Sequence, residues 1–193
     1  MMGNTIWCVG KNYPLHALEM NQRPESSPVI FCKSYNSLVM SDQTVHLPTF
    51  SKQVQYEVEL AFLFSESLKL SHITVALDLT ARDIQNEIKK KGLPWTTAKS
   101  FKQSCPLGKW KEYHPQEQIH FHLTVNDLLR QKGNSKDMIF PIEELRTYII
   151  EHFPVCPGDI LITGTPEGIS DIAKEDIAKL YLNDEIVGQF LFT

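Results

Sequence analysis

Three carboxylates set the chemistry this chain could do. Glu57 and Glu59 stand two apart in the run Val54 to Phe64, where Val54, Tyr56, Val58, Leu60, Phe62 and Phe64 alternate with Gln55, Glu57, Glu59 and Ala61. Period two puts both acids on one face of a strand. Asp78, between Leu77 and Leu79, faces away from two apolar neighbours in a later strand. Should the three converge, each pair of charges at ~4 Å costs on the order of 4 kcal/mol at an effective dielectric of 20. Such a cluster persists only with a raised carboxylate pKa or a divalent cation among the acids. All-oxygen ligation selects Mg²⁺, Mn²⁺ or Ca²⁺ over Zn²⁺. A solvent-facing strand edge is the plain alternative for the glutamates.

Other residues could supply proton transfer and anion binding. His16 and Glu19 fall three apart on one face of a turn opened by Pro14. A His held by a carboxylate can act as an oriented general base, although the same spacing more often makes a surface ion pair. Lys99 follows the end of a helix by seven residues and could swing back toward Asp78. Arg82 at the start of that helix, with the positive end of the helix dipole, could offset the acids. The stretch Gly164-Thr165-Pro166-Glu167-Gly168 is a rigid small-residue loop whose backbone N–H groups could approach a ligand. His120 and His122 could chelate a transition metal, but no third ligand stands nearby.

These residues need elements to hold them. Thr5 to Val9 and Val29 to Lys33 read as strands. Thr80 and Asp83 have the spacing of a capping box, Ile84 and Ile88 share a helix face, and Gly92 with Pro94 ends the helix. Lys89 to Lys91 form its exposed basic end. Ile119 to Val125 alternates up to Asn126-Asp127, a hairpin turn. Pro141 opens a helix to about His152, with Ile142, Leu145 and Ile149 buried. Cys156 to Asp159 is a turn before a buried strand, Ile160 to Thr163. Leu180 to Phe192 closes the chain as a hairpin around Asn183-Asp184. Many strands with two main helices predict an α+β, β-rich fold, and the length suits a single domain, 1–193.

Composition narrows the class. The 193 residues are 42% hydrophobic and 22% charged, with a formal charge of −4. No basic cluster with interleaved aromatics points to nucleic acid, and no apolar run is long enough to span a bilayer. Four scattered cysteines without CxxC suit reduced thiols, and MMGNTIWCVG has no signal-peptide pattern. The expectation is a soluble cytoplasmic protein.

Four ordered motifs carry a resemblance: GKNY with the following His16 and Glu19; YEVEL; LDLTARDIQNEIKKKGLPWTTAKSF followed by SCPLG; and GDILITGTPEG. Together they resemble the fumarylacetoacetate hydrolase superfamily over nearly the whole chain, most of all its short single-domain acylpyruvate hydrolase and oxaloacetate decarboxylase branch. The resemblance implies a distorted β-roll assembled as a homodimer. It implies metal ligation by Glu57, Glu59 and Asp78, usually of Mg²⁺ or Mn²⁺, with Ca²⁺ able to substitute in crystals. Lys99, Gln85 and Thr165 match substrate-holding positions, Lys99 with a catalytic role, and Arg82 and Gly164 are expected as further substrate contacts. His16 and Glu19 match a catalytic dyad on a lid, here about residues 11–27, that orders when substrate binds. The implied activity is carbon–carbon bond cleavage of a 2-oxo acid through a metal-stabilised enolate. Alternatives are oxaloacetate keto–enol tautomerisation, an isomerase, decarboxylase or hydratase of aromatic degradation, or a non-catalytic metabolite binder. The chain departs from the family in a shortened segment between Glu59 and Asp78, in Ser34 after Lys33, and in Ser170 where glycine is common.

Overall fold

The computed structural model describes residues 4–19, 25–116 and 118–193. The part of the expected lid that falls on residues 20–24 lies outside the described residues. Among the described residues, three sheets and four short α-helices build the fold. An eight-stranded mixed sheet runs in the order Val29–Ser34, Thr5–Gly10, Ile160–Ile162, Val58–Phe64, Leu70–Leu77, Cys105–Leu107, Leu38–Met40, with Lys111–Glu112 also on Leu70–Leu77. A five-stranded sheet orders Leu128–Asn134, His120–Val125, Ile177–Leu182, Glu185–Phe192 and Thr44–Val45. Ser170–Asp171, Val54–Tyr56 and Thr80–Ala81 make a small third sheet. The helices are α1 (Pro14–Glu19), α2 (Arg82–Lys90), α3 (Thr96–Lys99) and α4 (Ile142–His152). One apolar cluster, with Trp7, Leu60, Phe62, Phe121, Leu180 and Phe190 among its members, runs through the two large sheets.

The alternation from Val54 to Phe64 predicts one strand, and the structure breaks it at Glu57. Val54–Tyr56 belongs to the small sheet and Val58–Phe64 to the middle of the large one. Only Leu63 of the latter strand is not fully buried. The glutamates therefore face an interior, and the wet-edge reading fails because a central strand is covered on both faces. The shortened segment before Asp78 is a tight turn. Ser65 N donates to Lys69 O at 2.8 Å, and the two strands pair from Val58↔Leu77 to Phe64↔Leu70.

The expected capping box at α2 does not form. Thr80 lies in a strand, because Gln55↔Thr80 and Val54↔Ala81 pair and Arg82 N donates to Gln53 O at 2.8 Å. The Asp83 carboxylate instead accepts from Ser51 Oγ at 2.6 Å and Lys52 N at 2.8 Å, tying the helix to the preceding loop. The helix end follows the sequence. Gly92 takes φ 65°, and Leu93 N donates to Ile88 O at 2.9 Å, a turn that needs the left-handed freedom of glycine. The hairpin turns at Asn126-Asp127 and Asn183-Asp184 are formed with both residues at positive φ in each case.

Candidate active site

The hairpin of Val58–Phe64 and Leu70–Leu77 builds the floor of a cleft of about 470 Å³, counting its open mouth. Carried one step beyond Val58↔Leu77, its register sets Glu57 beside Asp78, and Asp78 N donates to Glu57 O at 2.8 Å. Glu57, Glu59 and Asp78 are all buried, and one oxygen from each lies within 4.8 Å of the others. The convergence that the sequence left open is present.

Two countercharges and a backbone N–H arrive from three other elements. Lys99, on the separate helix α3, donates Nζ to Glu57 Oε2 at 2.7 Å, Asp78 Oδ2 at 2.5 Å and Thr80 Oγ1 at 2.7 Å. Arg82, at the head of α2, donates to Glu57 Oε1, to Gln85 Oε1 at 2.5 Å and to Gln55 Oε1 at 2.6 Å. Each guanidinium nitrogen thus has one protein partner, and the side chain still lines the cleft. Gly164 N donates to Glu59 Oε2 at 2.6 Å. With φ 94° and room for no Cβ (one would lie 2.7 Å from Asn12 Cβ), only glycine brings that amide so close.

Electrostatics push the two glutamates apart. Burial raises the Glu57 pKa, but the charges of Lys99 and Arg82 outweigh it and hold the carboxyl well below its usual range. Burial, then the charges of Asp78 and Glu57, drive Glu59 well above that range. Burial alone would lower Lys99, yet Asp78 and Glu57 leave it above the ordinary lysine value. Without a metal, these surroundings favour the ionised form of Glu57 and the protonated form of Glu59.

His16 and Thr165 line the same cleft. His16 Nδ1 sits 3.2 Å from Glu19 Oε2, and Glu19 Oε1 accepts from Gly168 N at 3.2 Å. Gln85 is buried and lines the wall with Val9, Gly10, Phe31 and Trp95. All ten residues singled out in the sequence gather here or, for Glu19 and Gly164, touch a residue that does. His120 and His122 stay apart: no third ligand joins them among the described residues, and His122 stacks on Tyr181 with ring centroids 4.1 Å apart.

Three residues here carried no clear signal. Lys33 Nζ forms a fully buried ion pair with Asp78 Oδ1 at 2.8 Å. Its protons point to carbonyls of Leu79, Lys99 and Ser104, so Oδ1 is a buried acceptor without a hydrogen bond. Lys89, expected at the exposed helix end, turns into the cleft with Nζ 5.2 Å over the Trp95 ring. Burial, then the positive charges of Arg82 and Lys99, lowers its pKa to about 8. Gln131, fully buried, touches both sides of the floor without lining it. Three buried acids with only oxygen donors fit a hard divalent cation.

This fold and floor place the chain in a known class: residues 5–187 match the fumarylacetoacetate (FAA) hydrolase C-terminal family, and the chain belongs to that family. It is 37% identical over 187 residues to oxaloacetate tautomerase FAHD1, mitochondrial, of Bos taurus, covering 90% of this chain and 85% of the relative. A fumarylacetoacetate hydrolase family protein from Yersinia pestis superposes with TM-score 0.94 at 35% identity, covering 99% of this chain and 94% of the other. A fumarylpyruvate hydrolase from Pseudomonas aeruginosa, solved in complex with Mn²⁺ and pyruvate, superposes with TM-score 0.91 at 26% identity, covering 99% and 90%. The β-rich fold with mixed, curled sheets is that of the family.

Proposed function

We propose that this protein is a divalent-metal-dependent enzyme that cleaves a carbon–carbon bond in a small 2-oxo acid, an acylpyruvate or oxaloacetate. The observation that carries this reading is the buried meeting of Glu57, Glu59 and Asp78, one oxygen of each within 4.8 Å of the others. The Mn²⁺ and pyruvate of the Pseudomonas neighbour support the choice of ion and substrate class. Mg²⁺ or Mn²⁺ would be held by the three acids. When bound, it would supply Lewis-acid stabilisation of the enolate left by bond cleavage. Lys99 and Thr165 hold the substrate anion, and Gln85 offers its free amide protons from the wall. Arg82, which lines the cleft, offsets the acids through Glu57 and serves as a further substrate contact. His16, oriented by Glu19, takes a proton from water attacking the distal carbonyl of an acylpyruvate. Oxaloacetate loses carbon dioxide without water attack, so its reaction does not need that base.

Tautomerisation of oxaloacetate is the second reading, favoured by the names of the mammalian relatives. It needs only proton transfer at the same carbon. One assay separates the readings: pyruvate release from acetylpyruvate and oxaloacetate, and loss of the oxaloacetate enol, each with and without Mg²⁺. Metal-dependent pyruvate release is expected. Enol loss without pyruvate would replace cleavage by tautomerisation, and silence in all arms would leave a binder.

A single catalytic domain, 1–193, in a homodimer completes the reading, with α1 as part of the lid. Exposed Leu129, Ile177 and Leu191 give the outer face of the five-stranded sheet an apolar surface for a symmetric partner. Light scattering should report twice the 22.1 kDa chain mass; a monomer at micromolar concentration would contradict this. Among the described residues no helix is long and apolar enough to cross a membrane. The four free cysteines suit the cytoplasm we propose and equally the mitochondrial location in the relatives' names.

A further inference from the structure

The strand break at Glu57 leaves an unusual backbone position. On one side, Val58 pairs with Leu77. On the other, the neighbouring strand Ile160–Ile162 pairs only with Ala61 to Leu63, and Thr163 N makes a last bond to Leu60 O at 3.1 Å. The chain then turns away through Gly164 to Gly168. No strand is left to accept from Val58 N, the amide between the two glutamates. Gln131 fills that place. Its Oε1 accepts from Val58 N at 2.9 Å, and its Nε2 donates to Thr165 Oγ1 at 2.9 Å and Pro166 O at 2.8 Å. The partners fix the amide orientation, since an N–H needs its oxygen and a carbonyl needs its NH₂.

Gln131 reaches inward because its strand is irregular. Leu123 pairs with Gln131 and Thr124 with Leu129, so Arg130 is an extra residue in a bulge. Gln131 is 1% exposed, while Arg130 and Lys132 beside it are exposed. A buried side-chain amide with both ends satisfied behaves here as a spare peptide unit, stitching the acid-bearing turn to the loop behind it.

We infer that Gln131 is a positioning residue: it fixes the bend between Glu57 and Glu59 and sets the direction of the Thr165 hydroxyl. Because Thr165 Oγ1 accepts from Gln131, its own proton is free to donate into the cleft. An anion there meets a donor rather than a lone pair. The inference rests on the proposed reading of the cleft as a 2-oxo acid site.

Calorimetry on the full chain tests it, with Mn²⁺ alone and then pyruvate added to the Mn²⁺-loaded protein. Gln131→Met removes both functions at similar volume and should weaken Mn²⁺ and pyruvate binding by about tenfold each, within the range for groups behind a metal site. In a Thr165→Val background, the further loss of pyruvate affinity from Gln131→Met should shrink below about threefold, since no hydroxyl remains to direct. A general packing defect would leave the two losses additive, and additivity overturns the inference. If Gln131→Met folds poorly, Gln131→Glu keeps the acceptor for Val58 N and loses the amide protons. It should retain Mn²⁺ binding and lose pyruvate affinity; unchanged pyruvate affinity in it overturns the inference while the 2-oxo acid reading stands. A wild type that binds Mn²⁺ but not pyruvate overturns both.

Discussion

Glu59→Gln should abolish activity and weaken Mn²⁺ binding by about 100-fold or more, beyond the loss typical of outer-shell changes, without lowering the melting temperature. The structural reason lies in what Glu59 touches. Its hydrogen bond is to Gly164 N, which an amide oxygen can accept equally well. Burial beside two like charges favours its protonated form, so a neutral side chain of the same shape should disturb the metal-free protein little. Asp78→Asn should lose Mn²⁺ binding to the same extent and behave differently in stability. Asp78 pairs with Lys33 and Lys99, both buried. Removing its charge leaves two interior cations short of a partner, a change that costs about 3–5 kcal/mol when a buried pair is broken. Glu59→Gln is therefore the clean test of ligation, and Asp78→Asn must be read beside its unfolding curve. Unchanged Mn²⁺ affinity by calorimetry in both variants would remove these acids from the site.

The second large effect separates hydrolysis from decarboxylation. His16→Ala should lower acylpyruvate hydrolysis by roughly two to four orders of magnitude, the usual range for a positioned acid–base group. Oxaloacetate decarboxylation should fall far less, because no water attacks its carbonyl. Glu19→Gln should be a milder version of the same loss, since Glu19 holds the ring through Nδ1 and does not take the proton. Glu19 also accepts from Gly168 N, a bond the amide oxygen of glutamine keeps, so this variant should leave α1 seated beside the loop that carries Thr165. Lys99→Ala should damage both reactions by removing the cation that holds the substrate anion. Steady-state kinetics of the three variants on both substrates at saturating Mg²⁺ provide the measurement. Equal losses on both substrates for His16→Ala would make α1 a cover for the cleft and nothing more.

Much of this site is written in local pattern. The acids, Asn-Asp hairpin turns, Gly92 helix end and Gly164 loop each depend on a short stretch whose chemistry has few alternatives. The break at Glu57 was hidden because both segments keep period two across it, and periodicity does not record a change of sheet. Lys33 was hidden for a different reason. Cys32 and Ser34 alternate outward beside it, which places Lys33 inside, but an inward lysine makes sense only once Asp78 is known to lie across from it. Gln131 sits in the polar run LLRQKGN, where the bulge at Arg130 breaks the alternation that would have marked it as interior. Thr80 and Asp83 had the right spacing for a cap, and strand pairing with Val54–Gln55 took Thr80 first.

The position of Lys99 has a consequence for how any ion enters. Its ammonium is a cation on a leash, already bonded to Glu57 Oε2 and Asp78 Oδ2, two of the oxygens a divalent ion would need. Loading the proposed site would then be an exchange of one positive occupant for another. The apparent affinity for Mn²⁺ would measure the difference between the two, so a cradle of great intrinsic strength could show a modest binding constant. The exchange would also free the ammonium as the ion arrives. A lysine released there is placed to greet the negative charge of an incoming acid, which would make ion loading the step that arms the substrate clamp.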